Sequence, residues 1–273
     1  MKKFFLVVNP RRTGTHESAN QIEKLLIEKG ATCSRSIGYA KKQEVPEGTE
    51  CIITLGGDGT IIHMAREMAG EDVRLIGVNK GHMGYLTSVD SDAEVEPMID
   101  ALIEDRYTSE PRMMLETSVS YGGHSSEKYY ALNDVCLKSL SVKMIGFKLY
   151  VNHEFLNEYF ADGIIIATPT GSTAYNLNAG GPIIEPTAQM IVITPLCANV
   201  FSKSSIVFSA NDVIDIEVTR AEDKSAVIFD GDIHPPTYMG SHIRIQKSEK
   251  SPIFVNLHKS TFLQHLRAKM NVV

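Results

Sequence analysis

Cysteine is scarce in this sequence, and no two of the four cysteines form a C-x-x-C pair. Cys33, Cys51, Cys136 and Cys197 are widely separated, which argues against both a disulfide framework and a zinc site. The nine histidines likewise lack the H-x-x-x-H spacing of a helical metal site. We therefore predict reduced thiols, a cytoplasmic location and no metal ion held by the protein's own side chains.

Long apolar runs and a strong charge bias are also absent. No stretch approaches the roughly eighteen apolar residues of a membrane span, and the run in the opening MKKFFLVVNP is short enough to be a first core strand rather than a signal peptide. The formal net charge of −6 argues against nucleic acid as a main partner. With 43% hydrophobic and 22% charged residues over 273 positions, the chain is typical of a globular protein with one large or two ordinary domains.

Two common phosphate-binding motifs are missing, since the sequence has neither a Walker G-K-[ST] nor a G-x-G-x-x-G fingerprint where they would be expected. A different glycine loop is present: the apolar strand Cys51–Leu55 runs into Gly56–Thr60, and a helical pattern begins at Ile61. Glycines and free helix N–H groups favour an anion site. Asp58 fits such a site if it holds a metal, takes a proton or binds a hydroxyl; the alternative is a strand-to-helix turn with an aspartate cap.

Strands and helices alternate in the first part of the chain. Phe4–Val8 is a predicted strand, followed by a basic loop in which Arg11 and Arg12 either contact phosphate or are solvated. A further strand at Leu75–Val78 leads into the glycine-bearing loop at 79–84, and an amphipathic helix follows at Val95–Ile103. The alternation predicts a parallel sheet covered on both faces, with ligands collecting at the carboxyl ends of its strands.

The pattern changes after about residue 105, where short segments rich in β-branched and aromatic residues are separated by turn signals. This predicts a mostly antiparallel β domain. We therefore divide the chain into an α/β domain at residues 1–105, a β-rich domain at 106–260, which includes Ile253–Leu257, and a C-terminal helix at 261–273 that packs back on the body.

Polar residues lie beside or within two of the predicted strands in the second part. Asp162–Tyr175 is a buried strand followed by a hydroxyl-rich loop, which suits the binding of sugars and phosphates. Asn133 and Asp134 interrupt another apolar strand, so they either brace the backbone or bind a polar ligand. The later Asp-Gly-Asp at 230–232 is interpreted as a hairpin turn.

Four sequence blocks resemble the NAD kinase family, in an order and spacing that match over nearly the whole chain. They are GGDGT at Gly56–Thr60, the Asn133-Asp134 pair, DGxxxxTPTGSTAY at Asp162–Tyr175, and AGGP at Ala179–Pro182. GGDG also occurs in diacylglycerol and sphingosine kinases, together with an Asn-Pro loop such as Asn9-Pro10. TPTGSTAY with an upstream Asn-Asp pair is much more specific to NAD kinases.

The resemblance implies a fold and an activity. The fold is an α/β, Rossmann-like N-terminal domain followed by a β-rich, β-sandwich-like C-terminal domain. The activity is transfer of the γ-phosphate of ATP, or of a phosphate of polyphosphate, to the 2′-hydroxyl of the adenosine ribose of NAD. Mg²⁺ or another divalent cation would be held mainly by the donor phosphates, and the protein would be a homodimer or homotetramer with NAD and ATP as its small-molecule partners.

Site residues follow position by position. Asp58 would orient and deprotonate the 2′-hydroxyl, Asn133 and Asp134 would bind the adenosine half of NAD, and Asp162 the nicotinamide half. His63 either faces the donor phosphates or is a helix-surface histidine. The other NAD-binding candidates are Gly59, Thr170, Thr173, Ala174, Tyr175, Asn178, Cys197 and Asp232. The other donor-phosphate candidates are Asn9, Arg11, Gly56, Gly57, Gly59 and Thr60.

The sequence departs from the family pattern at four places. Phe160 stands where many members have an arginine or lysine, and Ala198-Asn199 where Pro-His is common. Asp134 replaces a frequent glutamate, and Asp232 the more usual glutamine. The first two departures bear on the diphosphate and subunit-interface contacts and not on the reaction centre.

Two alternative functions remain open at this stage. A lipid kinase on the same scaffold would be expected to show a basic or apolar membrane-facing patch, which the acidic balance disfavours. A non-catalytic dinucleotide sensor would bind NAD without consuming ATP, and the retained Asp58 and glycine loop weigh against it.

Overall fold

The structure is a computed structural model that describes residues 1–80, 84–89, 91–199, 204–257 and 261–270, without the side chains of residues 233, 234, 265 and 268–270. The chain forms two compact units, Met1–Pro111 with Ser251–Val273, and Arg112–Lys250. Residues 81–83 of the predicted glycine-bearing loop lie outside the described part.

The secondary-structure elements are numbered along the chain. The strands are β1 (Lys3–Val8), β2 (Thr32–Ile37), β3 (Cys51–Gly56), β4 (Arg74–Asn79), β5 (Thr108–Pro111), β6 (Leu115–Tyr121), β7 (His124–Ser125), β8 (Tyr129–Ala131), β9 (Asp134–Ser139), β10 (Ile145–Val151), β11 (Glu154–Ala161), β12 (Gly163–Ala167), β13 (Met190–Leu196), β14 (Ile206–Ser209), β15 (Ile214–Arg220), β16 (Ser225–Phe229), β17 (Asp232–Thr237), β18 (His242–Lys247) and β19 (Ile253–Asn256). The α-helices are α1 (Thr15–Glu28), α2 (Asp58–Glu67), α3 (Val95–Ile103), α4 (Tyr175–Asn178) and α5 (Phe262–Met270). Short 3-10 turns lie at Lys42–Glu44, Asp92–Glu94 and Thr170–Thr173.

The first unit is built on a sheet with the strand order β2-β1-β3-β4-β19-β5, in which all neighbours are parallel except β19 and β5. Helices α1 and α3 pack on one face, where Ile22 and Leu102 join the core side chains of β1, β3 and β4. Helix α2 lies on the other face, where Ile61 contacts Gly77 of β4. With both faces covered, the central strands are apolar throughout, which is why their sequences show no alternation.

The last strand joins a different sheet from the one the sequence suggested. Ile253–Leu257 was expected in the β-rich domain, whereas β19 pairs in parallel with β4 and antiparallel with β5 in the first unit. A short apolar segment shows by its composition that it is a strand, but its partner is chosen by contacts that are distant in sequence. Among the described residues, no helix is long and apolar enough to span a membrane.

The second unit is a β-sandwich. One sheet has the order β11-β10-β15-β18-β6-β7, with β8 also paired to β6, and the other has the order β14-β13-β12-β9-β16-β17. Side chains of both sheets, such as Phe147 and Ile216 from the first and Leu137 and Ile164 from the second, form one continuous buried cluster. The predicted α/β plus β-sandwich-like fold class is thereby confirmed.

The outer face of the second sandwich sheet carries the short helix α4. Cys136, Ile165 and Ala167 form a small apolar cluster there, and Tyr175 packs against it. The hydroxyl-rich loop between β12 and α4 is thus placed between a buried strand and a helix that covers the same sheet.

Candidate functional site

The carboxyl ends of β1, β3 and β4 bring three loops to one edge of the first sheet. The chain leaves β1 toward β2 on one side and β3 toward β4 on the other, so the sheet changes direction between β1 and β3, where ligands of open α/β sheets bind. Asn9 Nδ2 donates to Thr60 Oγ1 at 3.2 Å, and the Lys80 N–H donates to the Gly56 carbonyl at 2.9 Å. These bonds hold the three loops together.

The glycine loop is crowded at one end and open at the other. A Cβ at Gly56 would lie 2.5 Å from Thr60 Oγ1 and 3.1 Å from Asn9 Cβ, so only glycine fits there. A Cβ at Gly59 would meet nothing within 4 Å. Arg12 Nη2 lies 3.9 Å from the Cβ position of Gly57, which places a guanidinium beside the loop.

Asp58 lies in the first turn of α2 but does not cap the helix, because the N-cap is Gly57 and no side chain caps it. The Asp58 carboxylate instead accepts the Tyr85 N–H at 2.8 Å and the Leu86 N–H at 3.2 Å. A carboxylate has about four acceptor positions, so these two bonds fix its orientation and leave capacity for a ligand hydroxyl.

Gly84 holds the space that Asp58 needs. A methyl group on residue 84 would lie 2.1 Å from Asp58 Oδ1 and 2.5 Å from Thr87 Oγ1. We expect Gly84→Ala to lower the free energy of unfolding by about 1–3 kcal/mol, because the crowded side chains must shift. In an Asp58→Ala background the same substitution should cost less, measured by chemical denaturation; an equal cost in both backgrounds would contradict the contact.

His63 lies on α2 beyond the glycine loop. Its Nε2 is 2.9 Å from the carbonyl oxygen of Ala40, and its ring lies 4.7 Å, centroid to centroid, from the ring of Tyr39. Because a carbonyl only accepts, Nε2 carries the proton and Nδ1 is the remaining nitrogen. A role of His63 toward donor phosphates stays a prediction.

In the second unit, the loop at 132–134 and the loop that follows β12 are bonded to each other. Thr168 donates from its N–H to the Asn133 carbonyl at 2.8 Å and from Oγ1 to the Leu132 carbonyl at 2.6 Å. Thr168 Oγ1 also accepts the Gly171 N–H at 3.0 Å. Gly171 approaches so closely that a Cβ there would lie 2.0 Å from the Asn133 oxygen. The Asn133-Asp134 loop and the TPTGST loop are therefore held together by hydrogen bonds and close packing.

Asp230 is bonded to the loop at 132–134, a contact that the sequence did not reveal. It forms the β16–β17 hairpin turn with Gly231, and both residues have positive φ (49° and 91°), as the predicted turn requires. Its carboxylate also accepts three successive backbone N–H groups, from Leu132 at 2.8 Å, Asn133 at 2.7 Å and Asp134 at 3.1 Å. The Asp-Gly pair signals the turn, but nothing local in the sequence signals a partner almost 100 residues away.

Asp134 is a buried carboxyl group with 5% of its surface exposed. Burial, with a contribution from the nearby charge of Asp230, raises the pKa of Asp134 to about 7. Among the described residues, no hydrogen bond reaches the side chain of Asn133 or of Asp134. Two adjacent polar side chains are thus available on a loop whose backbone is already bonded.

The raised pKa of Asp134 predicts a pH-dependent stability. Because the folded protein holds the proton more tightly than the unfolded chain, the favourable contribution is complete below about pH 4 and is lost as the pH rises through about 7. Asp134→Asn removes this titration. We expect the variant to gain about 2–3 kcal/mol relative to wild type between pH 5 and pH 8, measured by urea unfolding. A difference that stays constant over that range would contradict the prediction.

Two other predicted site residues, Asp162 and Tyr175, belong to the opposite end of β12, where the strand begins at Gly163. Gly163 of β12 pairs with Lys138 and Ala167 pairs with Asp134, so the strand separates the two groups. Lys138 Nζ donates to Tyr175 Oη at 3.1 Å, and this bond, with smaller contributions that include the charge of Asp162, raises the pKa of Lys138. Lys138 thereby places a cation at this end of the strand.

The remaining NAD-binding candidates are placed individually. Buried Thr170 lies 3.5 Å from Arg112 Nη1, and Thr173 Oγ1 donates to the Thr170 carbonyl at 3.4 Å. Ala174 precedes α4 and Asn178 ends it. Cys197 and Asp232 are exposed, after β13 and at the start of β17 respectively.

Phe160 and Asn199, which mark two of the four departures described above, lie next to each other. The Asn199 N–H donates to the Phe160 carbonyl at 2.9 Å. The Arg220 guanidinium lies over the Phe160 ring, 5.2 Å from its centroid. The Phe160 side chain therefore has a cation stacked on it, supplied by β15.

Comparison with known families identifies the family of this chain. A model of the ATP-NAD kinase N-terminal domain matches residues 5–107, and a model of the ATP-NAD kinase C-terminal domain matches residues 132–257. The chain belongs to the NAD kinase family. An NAD kinase of Lachnospira eligens is 37% identical, covering 99% of this chain and 100% of that protein. An NAD kinase of Agathobacter rectalis is 35% identical, covering 99% of each.

Solved NAD kinase structures share the fold. Yeast NADH kinase complexed with NADH superposes with a TM-score of 0.89 at 22% identity, covering 100% of this chain and 89% of the yeast chain. An NAD kinase of Archaeoglobus fulgidus in complex with ATP superposes with a TM-score of 0.78 at 24% identity, covering 97% and 99% of the two chains.

Proposed function

We propose that the protein is an NAD kinase that transfers the γ-phosphate of ATP to the 2′-hydroxyl of the adenosine ribose of NAD, giving NADP. Membership of the family supports this activity. The observation that carries it is the placement of Asp58: a carboxylate held by two backbone N–H groups beside a glycine loop, at the sheet edge where ligands bind. Phosphoryl transfer requires alignment and charge neutralisation more than covalent chemistry, so an oriented carboxylate and an anion-binding loop are sufficient equipment.

In the first unit, Asp58 acts as the base that orients the hydroxyl and takes its proton. The N–H groups of Gly57 and Gly59, at the start of α2, are suited to the donor phosphates. Asn9 and Gly56 hold the loop in shape together with Thr60, whose N–H donates to the Gly57 carbonyl at 3.0 Å. The basic loop after β1 adds positive charge through Arg11 and through Arg12, which lies nearer the glycine loop.

In the second unit, the side chains of Asn133 and Asp134 bind the adenosine half of NAD. Lying at the opposite end of β12, Asp162 and Tyr175 bind the nicotinamide half. Thr170, Thr173, Ala174, Asn178, Cys197 and Asp232 complete the proposed NAD-binding set.

The phosphate donor is ATP with a divalent cation, and polyphosphate is the alternative donor. The cation enters with the donor phosphates and neutralises the charge that develops during transfer. Among the described residues, no group of three or more His, Cys, Asp or Glu side chains is arranged to hold a metal ion.

We also propose a cytoplasmic homodimer or homotetramer. The location is supported by the four free cysteines, and burial raises the pKa of Cys136 to about 12, which keeps that thiol protonated and unreactive. The oligomeric state rests on the family resemblance alone.

Radiolabelled phosphate transfer tests the acceptor directly. The full chain is incubated with γ-³²P-ATP, Mg²⁺ and a mixture of NAD, diacylglycerol and sphingosine, and the products are separated. We expect label in the dinucleotide alone. Label in a lipid would establish the lipid-kinase alternative, and NAD binding without any transfer, from ATP or from polyphosphate, would establish the sensor.

A further inference from the structure

The loop at 132–134 uses its backbone for the framework and leaves its side chains available. The N–H groups of all three residues are bonded to Asp230, and the carbonyls of Leu132 and Asn133 accept from Thr168. The Asp134 carbonyl accepts the Asp230 N–H at 3.1 Å. The side-chain amide of Asn133 and the nine-tenths buried side-chain carboxyl of Asp134 have no hydrogen bond among the described residues.

The turn that contains Asp230 does not require a carboxylate at this position. The type of turn is set by the positive φ angles of Asp230 and Gly231, which asparagine or glycine would also adopt. The ladder closes independently of the side chain, through the pairing of Phe229 with Asp232. The carboxylate instead receives three N–H bonds from a neighbouring loop, and bonds to a charged acceptor are stronger than neutral ones.

We propose that Asp230 is a positioning residue for NAD binding, which fixes the backbone at 132–134 so that the Asn133 and Asp134 side chains are held ready for the dinucleotide. The inference rests on the proposed function. A loop held in its bound conformation before the ligand arrives avoids the entropic cost of ordering it during binding. Loss of the Asp230 carboxylate therefore weakens the binding of NAD and leaves the binding of ATP unaffected.

The test compares Asp230→Ala and Asp230→Asn with wild type, with Asp212→Asn as the matched control. Asp212 is also a turn aspartate of the second unit, accepting the Ser209 N–H at 2.9 Å, and no candidate site residue bonds to it. Steady-state kinetics give KM for NAD and for ATP separately. Backbone amide hydrogen exchange at 132–134, measured by NMR on the protein without substrates, reports the three hydrogen bonds to Asp230 without relying on turnover.

For Asp230→Ala we expect KM for NAD to rise about 10- to 100-fold, with KM for ATP within about twofold of wild type. Asp230→Asn, which keeps one acceptor oxygen, should be intermediate, and Asp212→Asn should match wild type. The amides at 132–134 should exchange faster in Asp230→Ala. The pKa of Asp134 should fall, because a nearby negative charge is removed.

An unchanged KM for NAD, or an equal rise in both KM values, would overturn the positioning role while leaving the kinase activity established. Absence of turnover in wild type would instead count against the proposed function. In that case unchanged exchange at 132–134 in Asp230→Ala would also overturn the proposal that Asp230 fixes this backbone. Faster exchange confined to those amides would support it.

Discussion

Replacing Asp58 with asparagine is expected to lower kcat for NADP formation by about two orders of magnitude or more, because general-base catalysis contributes about 10²- to 10⁴-fold. The substitution keeps the shape of the side chain and removes its capacity to take a proton. Rapid-quench measurement of the first turnover, with both substrates saturating, assigns the loss to the transfer step rather than to product release.

The environment of Asp58 makes a stability control necessary. Both carboxylate oxygens accept backbone N–H groups, from Tyr85 and Leu86, whereas an asparagine side chain has only one acceptor oxygen. The melting temperature of the variant is therefore measured beside that of Asp72→Asn, which removes an exposed carboxylate in the same unit. If Asp58→Asn folds and its kcat stays within tenfold of wild type, Asp58 is not the base.

Gly171→Ala should produce the largest loss of stability. The added methyl would lie 2.0 Å from the carbonyl oxygen of Asn133 and 2.6 Å from its Cα, and these are backbone atoms that cannot turn aside. We expect the free energy of unfolding to fall by about 3 kcal/mol, the upper end for an overpacked site. Calorimetry should show a midpoint lowered by roughly 5–10 °C.

The matched control for this prediction is Gly59→Ala, where nothing lies within 4 Å of the added methyl group. Since Gly59 lies in the first turn of α2, alanine there should leave stability unchanged or raise it slightly. Equal stabilities of Gly171→Ala and wild type would mean that the two loops of the second unit are not packed as the structure has them.

Much of the fold follows from local sequence pattern. The apolar runs that became β1, β3 and β4 are buried almost throughout, so composition alone marks them as central strands of a covered sheet. The polar strands β2 and β5 escaped prediction, because these edge strands bury few side chains and show no hydrophobic period. Edge strands are defined by their neighbours and not by their own residues.

The site divides in the same way. GGDGT and TPTGSTAY are each contiguous in sequence. In the structure the first block runs from the end of β3 into α2, and the second runs from the end of β12 into α4. The bond of Asp58 to Tyr85 and that of Asp230 to Asn133 join residues far apart in the chain. Such contacts depend on tertiary structure, so Asp230 looked like a turn residue and Lys138 like an ordinary strand residue.

The most direct test of the central claim is the formation of NADP from NAD and Mg-ATP by the wild-type chain, read with a dehydrogenase that accepts only the 2′-phosphorylated cofactor. We predict NADP in an amount equal to the ADP released, with formation dependent on NAD. ATP consumed without NADP, or no reaction with either ATP or polyphosphate, would contradict the assignment of this chain as an NAD kinase.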